Sequence, residues 1–207
     1  MPTTIEILRS SVETLKNASL GSIPKDLYVA QRWAMAGAHG MMMNGLLCVY
    51  EKSDTIPADK TQVFVEYALQ WVAMLEEHHE WEDKHYYPLF APKFKTEAIM
   101  AEHETFSPGV GRVKEYLVLC LPAGATWGYS QTVPRQPQRR QEKFDGAKLR
   151  TLIDGFVNEL STHLVKEIED IGPEKLREAG LTQSELKRVS DETAKYMRSM
   201  VRLDSAR

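Results

Sequence analysis

Residues 78–90 read HHEWEDKHYYPLF and contain three of the six histidines of the chain. His78 and Glu82 are four residues apart, so on a helix their side chains lie one above the other on the same face. The apolar residues before His78 continue that face at alternating steps of three and four; they are Phe64, Tyr67, Trp71 and Met74. A glutamate on an apolar face is costly to bury unless it is paired or binds a cation. The stretch therefore predicts a core-facing helix that ends in a His-x-x-x-Glu pair.

The composition is that of an ordinary globular protein. The chain has 207 residues, 26 Lys and Arg against 29 Asp and Glu, a net charge of −3 and a mean hydropathy of −0.39. This balance argues against a nucleic-acid partner, which usually requires a basic excess. No run approaches the roughly 18 apolar residues of a membrane span, and MPTTIEILRS lacks the apolar part of a signal peptide. Cys48 and Cys120 lie in apolar stretches, as reduced thiols do, so we expect a cytoplasmic protein with no membrane partner.

The apolar periodicity predicts an all-α fold. We expect four long helices, at 25–51, 58–86, 94–120 and 145–171, which form the core of a single domain spanning residues 1–207. An N-terminal arm of one or two helical turns carries four apolar residues on one face, namely Ile5, Leu8, Val12 and Leu15. In the C-terminal extension, 173–207, the spacing of Thr182 and Glu185 predicts a capping box that opens a final helix to about Met200.

The segment 121–144 interrupts this helical pattern. It contains three prolines and two glycines and shows no apolar period. Connections of this length are unusual within a compact bundle. The segment is either a solvated, partly disordered loop or a lid or docking loop.

Each of the four long helices carries a histidine on its apolar face, and the last also carries a glutamate four residues later. These residues are His39, His78, His103 and the pair His163 and Glu167. Imidazoles and carboxylates from facing helices commonly bind iron or manganese in helical bundles. The sequence therefore predicts an interior metal site with four histidines and two glutamates, although the spacing does not distinguish iron from manganese.

Three motifs resemble those of the hemerythrin-like (HHE cation-binding) family. The second helix of that family has a His followed by Glu after four residues and by Pro after six more, as at His78, Glu82 and Pro88. AEHETF resembles its third-helix motif, HLVKEI matches its His-Leu-x-x-Glu-Ile, and His39 stands where the first-helix ligand is expected. The resemblance covers about 28–171. It implies an up-down-up-down four-helix bundle that holds a non-heme, oxygen-bridged di-iron site acting on dioxygen, nitric oxide or peroxide, or sensing iron.

One departure from the family pattern changes what the resemblance implies. The third helix of the family carries His-x-x-x-His, but here His103 is followed four residues later by Ser107 and then Pro108. The matching ligands that remain are His39, His78, Glu82, His103, His163 and Glu167. The lost histidine has three possible consequences. The open coordination position admits a substrate or water, or His79 or His85 takes the place of the histidine, or the second metal binds weakly. Because proline interrupts helices, we also expect a kink or a restart near Ser107.

The leading functional prediction is a hemerythrin-like protein with a modified site of one or two irons that performs dioxygen-linked chemistry, favouring a metal-dependent oxidoreductase. In that role Ser107 orients a small organic substrate or water, while Glu82 or Glu167 bridges the metals or moves protons. One alternative is a reversible binder or sensor of dioxygen, nitric oxide or iron. Another is a bundle that has lost its metal and acts as an interaction or structural protein. The sequence leaves the substrate and the oligomeric state open.

Overall fold

The computed structural model describes residues 2–134 and 140–204 of the chain. Within them the chain forms eight α-helices and one two-stranded antiparallel hairpin. The helices are α1 (Thr4–Ala18), α2 (Leu27–Lys52), α3 (Thr61–Trp81), α4 (Glu97–Cys120), α5 (Gly146–Asp154), α6 (Val157–Asp170), α7 (Pro173–Glu178) and α8 (Gln183–Asp204), and the strands are β1 (Thr126–Trp127) and β2 (Gln131–Thr132). The predicted all-α class is confirmed, with the hairpin as an addition. None of the helices in the described ranges has both the length and the apolar character needed to cross a membrane.

Four helices surround the core. Helix α2 packs on α3 and α6, and α4 packs on the same two helices from the other side. Fully buried leucines from each helix fill the space between them, namely Leu46, Leu69, Leu117 and Leu160. This ring of contacts brings together the faces on which the sequence placed the histidines.

The N-terminal helix is longer than predicted. Helix α1 has 15 residues, whereas we expected only one or two turns. Its first turn is closed by a capping box between Thr3 and Glu6. Leu8 and Leu15 are fully buried, because α1 packs along α2 and α6. The length of α1 thus follows from tertiary packing as well as from its cap.

The predicted helix over 145–171 is interrupted at Gly155 and Phe156, which separate α5 from α6. The buried Phe156 side chain packs against Gly109 of α4. A Cβ atom at Gly109 would lie 2.4 Å from the Cβ atom of Phe156. The absence of a side chain at Gly109 is therefore what allows α4 to approach the break so closely.

Of the kink or restart that we expected near Ser107, the restart does not occur. It continues as one α-helix from Glu97 to Cys120, with Pro108 inside it. The Ser107 hydroxyl donates a hydrogen bond of 2.6 Å to the carbonyl of His103, one turn earlier. Ser107 therefore uses its hydroxyl within the helix instead of capping a new one.

The segment after α4 is partly folded. The β1–β2 hairpin lies against α3, and Val133, just after it, is completely buried. The Glu142 amide donates to the Leu119 carbonyl at 2.9 Å, which fixes the far end of the segment. Residues 135–139, which belong to the predicted loop, lie outside the described residues. The hairpin and Val133 are packed against the protein, so this part of the segment is not simply a solvated loop.

The C-terminal capping box is confirmed. The Thr182 amide donates to the Glu185 carboxylate at 2.8 Å, and the Glu185 amide donates to the Thr182 hydroxyl at 3.3 Å. Helix α8 then packs along α2.

Candidate metal centre

The ring of helices brings the six predicted ligands into one interior cluster. His39 comes from α2, His103 from α4, and His163 and Glu167 from α6. The remaining two, His78 and Glu82, lie at the end of α3 and at the start of the turn that follows it. Five of the six are buried and His78 is half-buried.

A π-helical turn places Glu82. Helix α3 ends at Trp81, before the predicted boundary at 86, and Glu82–Tyr86 forms one π-helical turn. A turn of this kind adds a residue to the helical repeat and is frequent at functional sites. Despite the change of repeat, the Glu82 carboxylate remains within 2.9 Å of the ring of His78, so the predicted His-x-x-x-Glu pair is formed.

The first group of ligand atoms consists of His39, His78 and Glu82. The Nε2 atoms of the two histidines are 3.0 Å apart, and Glu82 Oε1 lies 2.9 Å from His78 Nε2 and 3.8 Å from His39 Nε2. The Nδ1 atom of His39 is 2.8 Å from the Leu164 carbonyl, which can only accept a hydrogen bond. The proton of His39 therefore lies on Nδ1, and the lone pair on Nε2 faces the interior.

The second group contains three histidines. His103 from α4 and His163 from α6 have ring centroids 4.7 Å apart. The ring of His79 lies 4.4 Å from that of His103 and 5.5 Å from that of His163. On the outer side, His163 Nδ1 is 3.2 Å from Glu102 Oε2, and His103 Nδ1 is 3.1 Å from Asp83 Oδ1. The Glu102 carboxylate favours a proton on Nδ1 of His163, which leaves the lone pair of its Nε2 on the inner side. His103 Nδ1 and Asp83 Oδ1 lie close together without forming a hydrogen bond.

Two carboxylates lie between the groups. Glu82 directs Oε1 toward the first group, while its Oε2 lies 3.7 Å from His103 Nε2 in the second. Glu167 Oε2 lies 3.2 Å from His163 Nε2 and 3.4 Å from His39 Nε2. Each carboxylate therefore reaches a histidine of both groups, which is the arrangement required to bridge two cations.

Burial and neighbouring charges shift the pKa values of the buried glutamates and of His163. Burial raises the pKa of Glu167 well above its usual range, and the charge on Glu82 raises it further. Burial alone would also raise the pKa of Glu82, but the neighbouring His78 and His39 lower it well below its usual value. Burial, reinforced by His103, lowers the pKa of His163 to about 4. His163 is therefore neutral at pH 7, as metal binding requires.

Many of the polar atoms at this site lie near another polar atom but form no hydrogen bond of acceptable geometry with any of the described residues. They include both carboxylate oxygens of Glu82 and of Glu167, and the Nε2 atoms of His79, His103 and His163. Buried polar atoms are almost always hydrogen-bonded, and leaving them unsatisfied is costly. Because all of these atoms are metal ligands by type, bound cations would satisfy them, and the residues present fit a metal centre.

The comparison with protein families agrees with this geometry. The family model described as Hemerythrin HHE cation binding domain matches residues 33–174. The chain belongs to the hemerythrin HHE cation-binding family. The search of curated proteins and the search of solved structures returned no match. The match runs from within α2 to the end of α6, so every member of the interior cluster lies inside the hemerythrin domain.

His79 lies deeper in this hemerythrin domain than its place beside His78 suggests. The sequence named it only as one possible replacement for the missing histidine, and its side chain lies inside, with only 8% of the residue exposed. Conversely, Tyr67, which we placed on the core face of this helix, is 48% exposed. The buried face of α3 follows Ala68, Val72, Leu75 and His79 as well as the predicted positions, because α3 packs on both α2 and α4. The spacing of those four residues was the sequence signal for His79.

The other two candidate residues, His85 and Ser107, lie at the surface of the hemerythrin domain. His85 is exposed, its ring lies 5.4 Å from that of Tyr196, and it belongs to neither ligand group. Ser107 is also exposed and lines a cavity of about 270 Å³ together with His79, His103 and Phe106. A molecule from solvent can therefore approach the site next to the second group.

Proposed function

We propose that this hemerythrin domain binds two metal ions, iron in the first instance, bridged by Glu82 and Glu167, and performs dioxygen-linked chemistry. The observation that carries the proposal is that each of the two carboxylates reaches a histidine of both groups. The ring of contacts among α2, α3, α4 and α6 supports an up-down-up-down four-helix bundle in a single domain. That fold would hold the six ligands on rigid elements.

The residues divide into two sets. His39, His78 and Glu82 would hold one ion, and His103, His163 and Glu167 would contribute to the other. This mixture of imidazole and carboxylate suits iron and also manganese. When bound, such ions supply redox chemistry with dioxygen and stabilise developing negative charge. Glu82, whose pKa is low, would already be an anionic ligand, whereas Glu167, whose pKa is raised in the metal-free site, would release its proton when the ions bind.

The cavity beside Ser107 supports an enzyme over a reversible carrier. A carrier of dioxygen needs a closed apolar pocket, but this cavity of about 270 Å³ is lined partly by the charged side chains of Glu80, Lys84 and Glu104. It leads to His103, so a small organic substrate could approach the second ion there. The Ser107 hydroxyl lies at its wall and would orient the substrate or a water molecule.

Anaerobic loading with Fe(II), followed by exposure to oxygen, tests this proposal. We expect about two irons per chain, a new visible absorption band and oxygen uptake with an added reductant. The spectrum should not return to its starting form on degassing. A full return on degassing, with no net uptake, would instead indicate a reversible binder. Failure to retain any metal would refute the proposed function. Ser107→Ala should keep the metal content and change the rate of uptake.

A further inference from the structure

We propose that His79 takes the place of the histidine that the family carries where Ser107 stands here, so that His79, His103 and His163 together hold the second metal ion. This inference rests on the proposed function and specifies the ligands of one of its two ions. It assigns a metal-binding role to a residue on α3 that matches no position of the family motifs.

The first support is that the ring nitrogens of the three histidines lie close together. One ring nitrogen from each of His79, His103 and His163 lies within 4.8 Å of the other two. The three side chains come from three different helices, α3, α4 and α6, and all three are buried. Three nitrogens from separate helices facing a common point are the usual arrangement of a three-histidine metal site.

The second support is the lack of a structural role for the inward nitrogen of His79. A histidine buried only for packing normally forms hydrogen bonds with both of its ring nitrogens. His79 Nε2 has no hydrogen-bond partner among the described residues, and neither do the Nε2 atoms of His103 and His163. The ring is surrounded by other rings, including that of Phe106 at 5.0 Å. Converging imidazole lone pairs repel one another unless a cation lies between them.

The third support is the helical geometry of the pair His78 and His79. Consecutive residues on an α-helix point about 100° apart. Helix α3 lies between α2 and α4, so the two rings reach different neighbours. His78 Nε2 is 3.0 Å from His39 Nε2 on α2, while the ring of His79 lies 4.4 Å from that of His103 on α4. One dipeptide thus supplies a histidine to each ligand group.

Ser107 does not compete for this role. Its hydroxyl donates to the carbonyl of His103, and a neutral hydroxyl is a poor ligand for iron. Ser107 and His79 nevertheless line the same cavity of about 270 Å³. A histidine introduced at position 107 would therefore project into the space beside His79, which makes a rescue experiment possible.

The test compares metal binding by wild type, His79→Ala, His85→Ala and the double variant His79→Ala/Ser107→His. Each protein is titrated with Co(II) and followed by its visible absorption, and Fe(II) content is measured after loading. Wild type and the control His85→Ala, which changes an exposed histidine of the same stretch, should bind two ions. His79→Ala should keep one ion and bind the other at least about 100-fold more weakly. The double variant should regain the second ion.

Two results would overturn the inference. The first is a His79→Ala protein that binds two ions with wild-type affinity, and the second is a double variant that gains nothing over His79→Ala. A wild type that binds no metal would overturn the proposed function as well, so the two failures are distinguishable. If His79→Ala does not fold, His79→Gln keeps a polar side chain of similar size and provides the same comparison.

Discussion

Glu82→Gln is the substitution that most clearly separates a two-metal centre from a buried polar cluster. The two oxygens of Glu82 face different groups, with Oε1 2.9 Å from His78 Nε2 and Oε2 3.7 Å from His103 Nε2. Glutamine has nearly the same shape, so the packing should be kept. It has no charge, and one oxygen becomes an amide nitrogen that cannot bind a cation. We therefore expect the affinity of both ions to fall.

The size of the effect follows from mass action. An ion present at about 100 times its Kd stabilises the folded state by about 2.7 kcal/mol, so two such ions contribute about 5.4 kcal/mol. A chain of 207 residues has an unfolding entropy of about 0.43 kcal/mol/K near its melting temperature. Metal should therefore raise the Tm of the wild type by about 12 °C. The same metal concentration should raise the Tm of Glu82→Gln by only a small part of that shift.

Differential scanning calorimetry of metal-free and metal-loaded protein measures this shift, and elemental analysis gives the ions per chain. Glu80→Gln is the matched control, because it makes the same change two residues earlier at an exposed side chain paired with Lys84. Such exposed pairs contribute little to stability. The control should keep the full shift. A Glu82→Gln protein that retains two ions and the full shift would refute the bridging role of Glu82.

Three further predictions concern the first group, the packing of α4 and the pH dependence. His78→Ala should lose about one ion per chain by elemental analysis; unchanged metal content would contradict the assignment of His78. Gly109→Ala should lower the free energy of unfolding in urea by about 1–3 kcal/mol, because the new methyl group would overlap Phe156; an unchanged midpoint would count against that contact. The metal-free protein should lose stability as the pH falls from about 6.5 toward 4. Burial holds the pKa of His163 at about 4 and also lowers the pKa values of His39 and His79. The unfolded chain therefore binds more protons than the folded one in this range. Glu167, whose pKa is raised, acts in the opposite direction but is one group against three, so a Tm that rises on acidification from pH 6.5 to 5 would contradict this reasoning.

The sequence was sufficient to predict two of the helices that carry the site, those of His39 and His103. The apolar periodicity placed the helix over 25–51 close to its observed bounds, Leu27–Lys52, and the helix over 94–120 close to Glu97–Cys120. It also placed one histidine per helix on the core face. These predictions succeeded because one-sided burial at helical spacing is a local property of each segment.

The features that the sequence did not predict depend on contacts between segments. The break at Phe156 depends on the close approach of Gly109 from another helix, which no local pattern encodes. Likewise, His79 is buried because α3 packs on two helices at once. Its buried face is therefore wider than the single line of residues that the apolar spacing predicted. The line of residues through Tyr67 and His78 describes only one side of that buried face. For the same reason, His79 could be predicted from the sequence only as one of several possible replacements for the missing histidine.

The most direct test of the two-metal centre is anomalous diffraction from crystals of the iron-loaded protein at the iron absorption edge. Two anomalous peaks are expected, one beside His39 and His78 and the other beside His103 and His163, on opposite sides of the Glu82 carboxylate. A single peak, or none in protein that is otherwise fully folded, would contradict the central claim that Glu82 and Glu167 bridge two ions.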